Sequence, residues 1–521
     1  MRKLVFVFLA AAVMTAPLLA ATTERQVTGG IVSGEALADG GTVFRSIPFA
    51  QPPLGELRWK SPAPVQPWDG VRDATKVAPP CLQRSYEWNA ADAFNGKEDC
   101  LYIAVQSPRH KPTDRLPVMV WIHGGSNRAG DGHDVVDSPI TRRGVVLVTI
   151  QYRLGVFGFL SLPALTSESP VRASGNYGLM DQIAALQWVK ENIANFGGDP
   201  NKVMIYGQSG GGGKVATLMG MPSAKGLFHR AAIQSGGSFA GDKDEAKEFA
   251  RMLVKQLSIG PNDIGALQKL DWASLNAAAN AAQGKMPPRP GPFGAMPGPP
   301  ARFWMPTVDG RVITENTFQN SAPEISKDVP LIIGSVSEEG NSMRSRPTEA
   351  QWRANLARAY GVDKGKVLAD ALRKAHPEKS IRTLSYMCGG GGILNAVSIR
   401  NSVVHIAKLK HDLKAAPVYT YYFSWQSPML EDAGAWHTAD LAFCFDNTKR
   451  CEQGTGNTPE AQALAKKMAT AWANFARTGN PSQPGLTWTP SDPEHNQTMV
   501  WDNDCRVVND PEGEIRKIIL S

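Results

Sequence analysis

Short apolar runs separated by turn residues recur along the chain. They are rich in β-branched residues, which is typical of strands in a sheet that is covered on both faces. The predicted strands are residues 116–122, 145–152, 203–206, 330–334 and 418–423.

Helical periodicity lies between these runs. Leu179, Ile183, Leu186, Val189 and Ile193 recur at helical spacing within residues 178–195, and a second pattern covers residues 458–478. Because strands and helices alternate, we predict an α/β fold with a mostly parallel sheet, helices on both faces and active groups at the carboxyl ends of strands. We find no tandem repeat and no interdomain linker, so residues 21–521 are expected to form a single domain.

Composition and charge narrow the class of protein. The 521 residues are 42% hydrophobic and 20% charged, which is typical of a globular protein and excludes a disordered, collagen-like or coiled-coil chain. The formal net charge is +7, and the basic residues form no stripe. We therefore expect no nucleic-acid partner.

The N-terminus has the pattern of a secretory signal. Arg2 and Lys3 precede an apolar run over residues 4–19, which ends at Ala20 and Ala21. A membrane anchor is the alternative, but the run contains Pro17 and is only about as long as the shortest spanning helices. We predict that residues 1–20 are a signal peptide, with cleavage near Ala20 or Ala21. The protein is then expected to be exported to the periplasm or the medium without a stable membrane anchor.

Six cysteines in an exported chain favour disulfides. Cys81 and Cys100 enclose a short polar loop and are the first predicted pair, and Cys444 and Cys451 are similarly close in the sequence. Cys388 and Cys505 then remain as a pair by elimination. The alternative for the last four is that several are buried free thiols.

Residues 286–300 are rich in proline and glycine, which excludes a helix or a central strand. We interpret this segment as a loop. It is either a surface excursion or one wall of a substrate gorge, since Phe293, Met296, Phe303, Trp304 and Met305 put apolar bulk around it.

Residues 203–211 contain a candidate nucleophile, Ser209. A β-branched run enters the sequence Gly-Gln-Ser-Gly-Gly, which small residues and an apolar helical stretch then follow. In a strand–turn–helix elbow, Gly207 and Gly211 leave room for close packing of strand and helix, and the hydroxyl of Ser209 is exposed to a histidine.

Residues 123–126, His-Gly-Gly-Ser, directly follow the strand predicted over 116–122. The glycines let backbone N–H groups approach a substrate carbonyl, and the N–H of Gly210 would complete an oxyanion hole. We interpret His123 as a structural residue rather than a base, because it lies at a buried strand end.

Several motifs together resemble the type B carboxylesterase family of α/β-hydrolases, which includes the cholinesterases and many bacterial esterases. The resemblance covers residues 27–517. In order along the chain, the motifs are residues 44–53, 57–59, 98–102, 176–181 and 196–200. Family membership implies an α/β-hydrolase fold and a reaction that needs no metal and no organic cofactor.

The resemblance also completes a triad in the order serine, acid, histidine. It selects Glu339 over Glu338 as the acid, because the family's acidic residue immediately precedes a glycine. The residues alone do not choose between these neighbours, one of which should point inward and the other toward solvent. His437 resembles the catalytic histidine of the family. Backbone N–H groups of Gly125, Ser126 and Gly210 would then bind the oxyanion.

Further roles are implied only by the resemblance. It suggests an Arg45–Glu98 ion pair and a supporting role for Ser235 behind the triad. Gln208 stands where many members have glutamate, which removes a charge near the serine, and Gly210 enlarges the acyl site. Trp88 matches the choline-binding tryptophan of cholinesterases by region alone, so we predict no choline specificity.

We therefore predict a secreted serine esterase that acts on small to medium carboxylic esters, with a small-molecule ester as its partner. The alternatives are hydrolysis of amides, carbamates or lipid esters by the same triad, and an adhesion module that has lost catalysis. The presence of Ser209, Glu339 and His437 argues against the last of these. The oligomeric state is not predicted.

Overall fold

The computed structural model of the chain describes residues 23–83, 96–111, 113–237, 240–286, 304–340, 346–388 and 396–521. The predicted signal segment, Trp88 and most of the proline-rich loop lie outside these ranges. Within the described residues, no helix is long and apolar enough to cross a membrane.

Fourteen strands form two sheets within the described ranges. The strands are β1 (Glu24–Val27), β2 (Gly30–Ser33), β3 (Glu35–Ala36), β4 (Thr42–Pro48), β5 (Val71–Asp73), β6 (Tyr102–Ser107), β7 (Leu116–Ile122), β8 (Val146–Ile150), β9 (Gly198–Gln208), β10 (Arg230–Gln234), β11 (Leu331–Val336), β12 (Val418–Phe423), β13 (Gln497–Trp501) and β14 (Arg506–Asn509).

Fifteen α-helices accompany them within the same ranges. They are α1 (Gly155–Phe159), α2 (Pro163–Glu168), α3 (Tyr177–Asn192), α4 (Gly210–Gly220), α5 (Lys243–Gln256), α6 (Ile264–Gln268), α7 (Trp272–Gln283), α8 (Glu349–Tyr360), α9 (Val362–Ala375), α10 (Ile381–Met387), α11 (Ala396–Asp412), α12 (Leu441–Cys444), α13 (Glu452–Thr455), α14 (Pro459–Thr478) and α15 (Gly513–Leu520).

The main sheet has eleven strands in the described residues, in the order β14-β13-β12-β11-β10-β9-β7-β8-β6-β4-β3. The central strands from β8 through β7 and β9 to β13 pair in parallel, whereas the strands at both edges pair antiparallel. The predicted mostly parallel sheet is therefore confirmed, and β1, β2 and β5 form a separate three-stranded sheet.

Helices cover both faces of the main sheet. Val118 and Val120 of β7 pack in one apolar cluster with residues of α3, α4 and α11. Met119 and Trp121 point to the other face and join a second cluster that contains Trp472 of α14. This alternation explains why β7 is apolar at almost every position.

The disulfide predictions have mixed outcomes. Cys81 and Cys100 are bridged, with 4.9 Å between their Cα atoms, as predicted. The predicted Cys444–Cys451 bridge is wrong, because both residues are free cysteines. The Cys444 thiol is buried near the carbonyl of Leu441 and the amide of Gln234, whereas Cys451 is exposed at the start of α13.

The third predicted disulfide is also wrong. Cys388 is not bridged to Cys505; the Cys388 thiol contacts the hydroxyl of Tyr360 at 3.6 Å, and that of Cys505 contacts the carbonyl of Asp502 at 3.1 Å.

Arg45 does not pair with Glu98. Its guanidinium binds Glu35 at 2.5 Å and Asp137 at 2.8 Å, and Glu98 pairs with Arg58 instead. Arg58 lies outside the disulfide loop, and it also donates to the backbone carbonyls of Gln268, the last residue of α6, and Leu270. The predicted Arg45–Glu98 ion pair is therefore wrong, because Glu98 forms its ion pair with Arg58.

Candidate active site

Ser209 occupies a sharp turn between β9 and α4. Strand β9 ends at Gln208 and helix α4 begins at Gly210, so Ser209 alone separates them. Its backbone has φ 57° and ψ −123°, a conformation that L-residues rarely adopt and that costs on the order of 1–3 kcal/mol. The surrounding packing therefore holds the serine in this turn.

Glycines on both sides allow this turn. A Cβ atom on Gly207 would lie 2.6 Å from the carbonyl carbon of Gly211, and one on Gly211 would lie 2.1 Å from the carbonyl oxygen of Ile122. Backbone atoms cannot yield at such distances. The close approach of β9, α4 and the end of β7 therefore requires glycine at both positions.

The candidate oxyanion loop follows β7 and lies against the turn. A Cβ atom on Gly124 would be 3.3 Å from Cβ of Ser209, and one on Gly210 would be 3.0 Å from the backbone nitrogen of Ser126. Gly125 and Ser126 both have positive φ, at 92° and 54°. The loop that carries Gly125 and Ser126 thus lies against the turn that carries Ser209 and Gly210.

The candidate acid and base are in contact. Nδ1 of His437 hydrogen-bonds Oε2 of Glu339, and Oε1 of Glu339 accepts from the backbone N–H of Val336 at 3.1 Å. The Glu339 side chain is fully buried, whereas the His437 side chain is 18% exposed. The carboxylate thus has fixed partners, and one edge of the imidazole remains open.

Gln208 stands between the turn and the base. Its amide nitrogen lies 3.1 Å from Nε2 and 3.4 Å from Nδ1 of His437. Within the described residues, no hydrogen bond joins Ser209 to His437. The structure therefore places Glu339 beside His437. Gln208, rather than Ser209, contacts Nε2 of His437.

Glu338 departs from expectation. We expected one of the two neighbouring glutamates to face solvent, yet both are buried. The Glu338 carboxylate binds Lys379 at 2.8 Å and accepts the N–H of Ala435 at 2.6 Å. A partly buried cation, 41 positions away along the chain, therefore allows both carboxylates to point inward.

Ser235 lies next to the turn, but its hydroxyl is unpaired within the described part of the chain. The N–H of Ser209 donates to the carbonyl of Gln234 at 2.8 Å, and the N–H of Ser235 donates to Gly334. The buried Ser235 hydroxyl has no hydrogen-bond partner there. A supporting role for this side chain in the triad stays a prediction.

His123 has the structural position that we predicted. It is buried, and its ring stacks on that of Tyr152 with 4.2 Å between centroids. Burial, with a smaller effect of the Lys214 charge, lowers the pKa of His123 to about 3. The ring is therefore neutral at physiological pH and a much weaker base than an ordinary histidine, which agrees with a structural role.

Sequence reasoning missed two buried ionisable groups behind the site. Lys214 on α4 donates to the carbonyl of Gly210 at 3.1 Å, and burial lowers the pKa of its ammonium to about 7. Asp440 accepts from Tyr421 and Gln234, and burial raises its pKa. The only sequence signal for Lys214 is its charge within an otherwise small and apolar helical stretch.

The described residues contain no group of histidine, cysteine or acidic side chains that could hold a metal ion. The chemistry that these residues can support is nucleophilic. A hydroxyl in a strained turn, a histidine bound to a buried carboxylate, and backbone donors at a helix N-terminus together suit acyl transfer.

The chain is similar to known proteins over almost its whole length. The carboxylesterase family matches residues 21–514. The chain is 33% identical over 481 residues to the para-nitrobenzyl esterase of Bacillus subtilis (strain 168), covering 91% of this chain and 94% of that protein. It is 31% identical over 494 residues to the fumonisin B1 esterase of Sphingopyxis macrogoltabida, covering 90% and 85%.

A solved structure of a PNB esterase matches the fold. The TM-score is 0.78 at 31% sequence identity, and the match covers 96% of this chain and 100% of that one. This likeness confirms the predicted α/β-hydrolase fold.

Proposed function

Because this chain belongs to the carboxylesterase family and is an ester-hydrolysing enzyme, we propose that it acts through a Ser209–His437–Glu339 triad. The substrates are small to medium carboxylic esters, and the reaction passes through a covalent acyl-enzyme. The buried contact between Glu339 and His437, beside the strained turn that carries Ser209, supports this proposal more than any other observation.

The first half of the reaction acylates the serine. Nε2 of His437 takes the proton from the Ser209 hydroxyl, and the serine oxygen attacks the ester carbonyl. Glu339 holds Nδ1–H and stabilises the imidazolium that forms. His437 then gives its proton to the departing alcohol. The Gln208 amide has to leave Nε2 before Ser209 can use it, since one lone pair serves both.

The second half hydrolyses the acyl-enzyme. Water attacks the ester carbonyl of acylated Ser209, and His437 accepts the proton of this water and returns it to the serine oxygen. Backbone N–H groups of Gly125, Ser126 and Gly210 bind the oxyanion in both halves. The contact between Ser126 and Gly210, next to Ser209, and the position of Gly210 at the start of α4 support this assignment.

We also propose that the enzyme is exported, with residues 1–20 as the signal segment. The Cys81–Cys100 disulfide supports this, because disulfides persist in oxidising compartments. An N-terminal sequence of the protein secreted from a host cell tests it: a start at about residue 21 or 22 agrees with the proposal, and an intact Met1 contradicts it.

The decisive experiment compares the wild type with Ser209→Ala on p-nitrophenyl esters from acetate to decanoate. Intact mass after treatment with a phosphonate shows whether a covalent adduct forms. We expect turnover and one adduct in the wild type and neither in the variant. Ser167→Ala is the control, because this exposed serine of α2 has no part in the proposed mechanism.

Two results would contradict the proposal. A Ser209→Ala variant that keeps the wild-type rate would assign the chemistry to another group. Preference for a long-chain ester above its critical micelle concentration, or comparable turnover of an anilide, would change the substrate class to lipid esters or amides with the same triad.

A further inference from the structure

Glu338 makes a second, separate set of contacts beside the candidate triad. Its side chain is fully buried, and each carboxylate oxygen has a partner. Oε1 binds Nζ of Lys379 at 2.8 Å, and Oε2 accepts the backbone N–H of Ala435 at 2.6 Å. Ala435 lies two positions before His437, so this carboxylate holds the loop that carries the base.

The backbones of the two loops are also joined at this point. The N–H of Glu338 donates to the carbonyl of Ala435 at 3.1 Å, and Glu338 forms an isolated parallel bridge with Trp436. Gly434 has φ 61°, and a Cβ atom there would lie 2.6 Å from Oε2 of Glu338. The histidine loop therefore closes tightly over the Glu338 carboxylate, which leaves no room for a side chain at position 434.

Lys379 anchors the other end of this contact. Its side chain is 14% exposed, and its carbonyl accepts from Arg373 at 2.9 Å. The helix that follows, α10, reaches both loops: the N–H of Gly340 donates to the carbonyl of Tyr386, and the Thr383 hydroxyl donates to the carbonyl of Asp432. The segment from Lys379 to Tyr386 thus contacts the acid loop and the histidine loop together.

We propose that Glu338, paired with Lys379, is a positioning residue that fixes the His437 loop against Glu339. This inference rests on the proposed function, because it assigns to Glu338 the geometry of the same acid–base pair. Glu338 acts through the backbone of Ala435 and touches neither the substrate nor the reacting atoms.

The charge of Lys379 is as important as the contact. Glu338 and Glu339 are adjacent and both buried, so without a cation two negative charges would lie behind His437. Three groups face His437: Glu339 on the acid loop after β11, Asp440 at the start of α12, and the neutral Gln208. Lys379 neutralises Glu338, which leaves Glu339 as the partner that orients the imidazole.

Three variants separate positioning from stability alone. Glu338→Gln keeps the size and the acceptor for Ala435 but loses the charge opposite Lys379. Lys379→Met removes the cation, and Lys379→Arg keeps it. The measurements are kcat and KM on p-nitrophenyl butyrate, the pH profile of kcat/KM, and the thermal midpoint of unfolding.

We expect a fall in kcat of ~10- to 100-fold for Glu338→Gln, with KM within about threefold of the wild type, because a small displacement of a catalytic group costs this much. Lys379→Met should lose a similar amount and move the acid limb of the profile to higher pH, since an unpaired carboxylate favours a protonated imidazole. Lys379→Arg should stay within about threefold of wild-type kcat.

Folded Glu338→Gln and Lys379→Met proteins with wild-type kcat and pH profile would overturn the positioning role. If Glu338→Gln does not fold, the contrast between Lys379→Met and Lys379→Arg decides. Phosphonate labelling of Ser209 separates the two proposals: an unlabelled, inactive wild type removes both, whereas a labelled, active wild type with an equally active Lys379→Met variant removes only this one.

Discussion

The amide nitrogen of Gln208 lies 3.1 Å from Nε2 of His437, the ring nitrogen that the proposed mechanism assigns to the Ser209 proton. The Gln208 side chain is buried and uncharged. The base therefore has an anionic hydrogen-bond partner, Glu339, at Nδ1 and a neutral partner, Gln208, at its other nitrogen.

The first prediction concerns Gln208→Glu. A carboxylate next to Nε2 favours the protonated imidazole, so the acid limb of the kcat/KM profile should move to higher pH by about 1 unit or more. Gln208→Met has the same length and no charge and should leave the limb in place. The measurement is initial rates between about pH 5 and 8, where histidine ordinarily titrates. A rate that is flat over this range in the wild type would contradict the role of His437 as base.

The second prediction concerns the stability contribution of Lys214. Its pKa in the folded protein is about 7 against an ordinary value of 10.5, so the unfolded chain binds one more proton between these pH values. Stability should therefore rise with pH across this window, and the cost of Lys214 is greatest below about pH 7.

Lys214→Met should consequently raise the free energy of unfolding by a few kcal/mol at pH 6, with the gain shrinking as the pH approaches 10. Lys410→Met is the matched control. Burial lowers the pKa of Lys410 as well, to about 8, but Lys410 donates to the carbonyls of Ser326 and Lys327, which its loss would leave unpaired. This variant should therefore gain less stability at pH 6 than Lys214→Met, or lose some. Urea unfolding at several pH values gives both results. A Lys214→Met protein that is less stable than the wild type at pH 6 would refute the prediction.

The third prediction concerns Gly125. A methyl group at this position would meet the carbonyl oxygen of Ala129 at 2.0 Å, and φ is 92°. Gly125→Ala should therefore displace the oxyanion loop and lower kcat by ~10²- to 10³-fold, the cost of losing one donor. Gly226→Ala is the control, because it has φ 74° and no atom within 4 Å of the added methyl. Equal activity of the two variants would exclude a role for this loop in binding the oxyanion.

The fourth prediction concerns the cysteines. Replacing Cys81 and Cys100 together with alanine should lower the free energy of unfolding by about 3 kcal/mol, as expected for a bridge that spans 19 positions. Alkylation of the unreduced, unfolded protein should label Cys444 and Cys451 and leave the bridged pair unlabelled. Peptide masses provide the readout. A peptide mass that corresponds to a Cys444–Cys451 disulfide would contradict the free state of these two cysteines.

The central fold could be predicted because its signals are local. Strands β7 and β12 are apolar at nearly every position, and the bounds predicted for both match the structure. Strand β4 was missed because it contains Arg45, Ser46 and Pro48 and lies toward the edge of the sheet, where polar residues and proline are tolerated.

The surroundings of the site depend on contacts between distant parts of the chain. Nothing near Glu338 in the sequence indicates that Lys379 will neutralise it, so the expectation that one glutamate faces solvent failed. Cys444 and Cys451 are close in sequence, but the buried polar group around Gln234 holds the thiol of Cys444 on the inner side. Proximity along the chain was therefore a poor guide to pairing.

The order of strands in the main sheet also has a consequence for folding. Ser209 follows β9, Glu339 follows β11 and His437 follows β12, and the Glu339–His437 contact joins residues 98 positions apart. Contacts of such high sequence separation form late and slowly, because the chain loses the entropy of loop closure before the contacts stabilise it. A refolding chain can thus regain helices well before it regains a working site. The recovery of esterase activity would report completion of the parallel sheet, whereas circular dichroism would report an earlier stage.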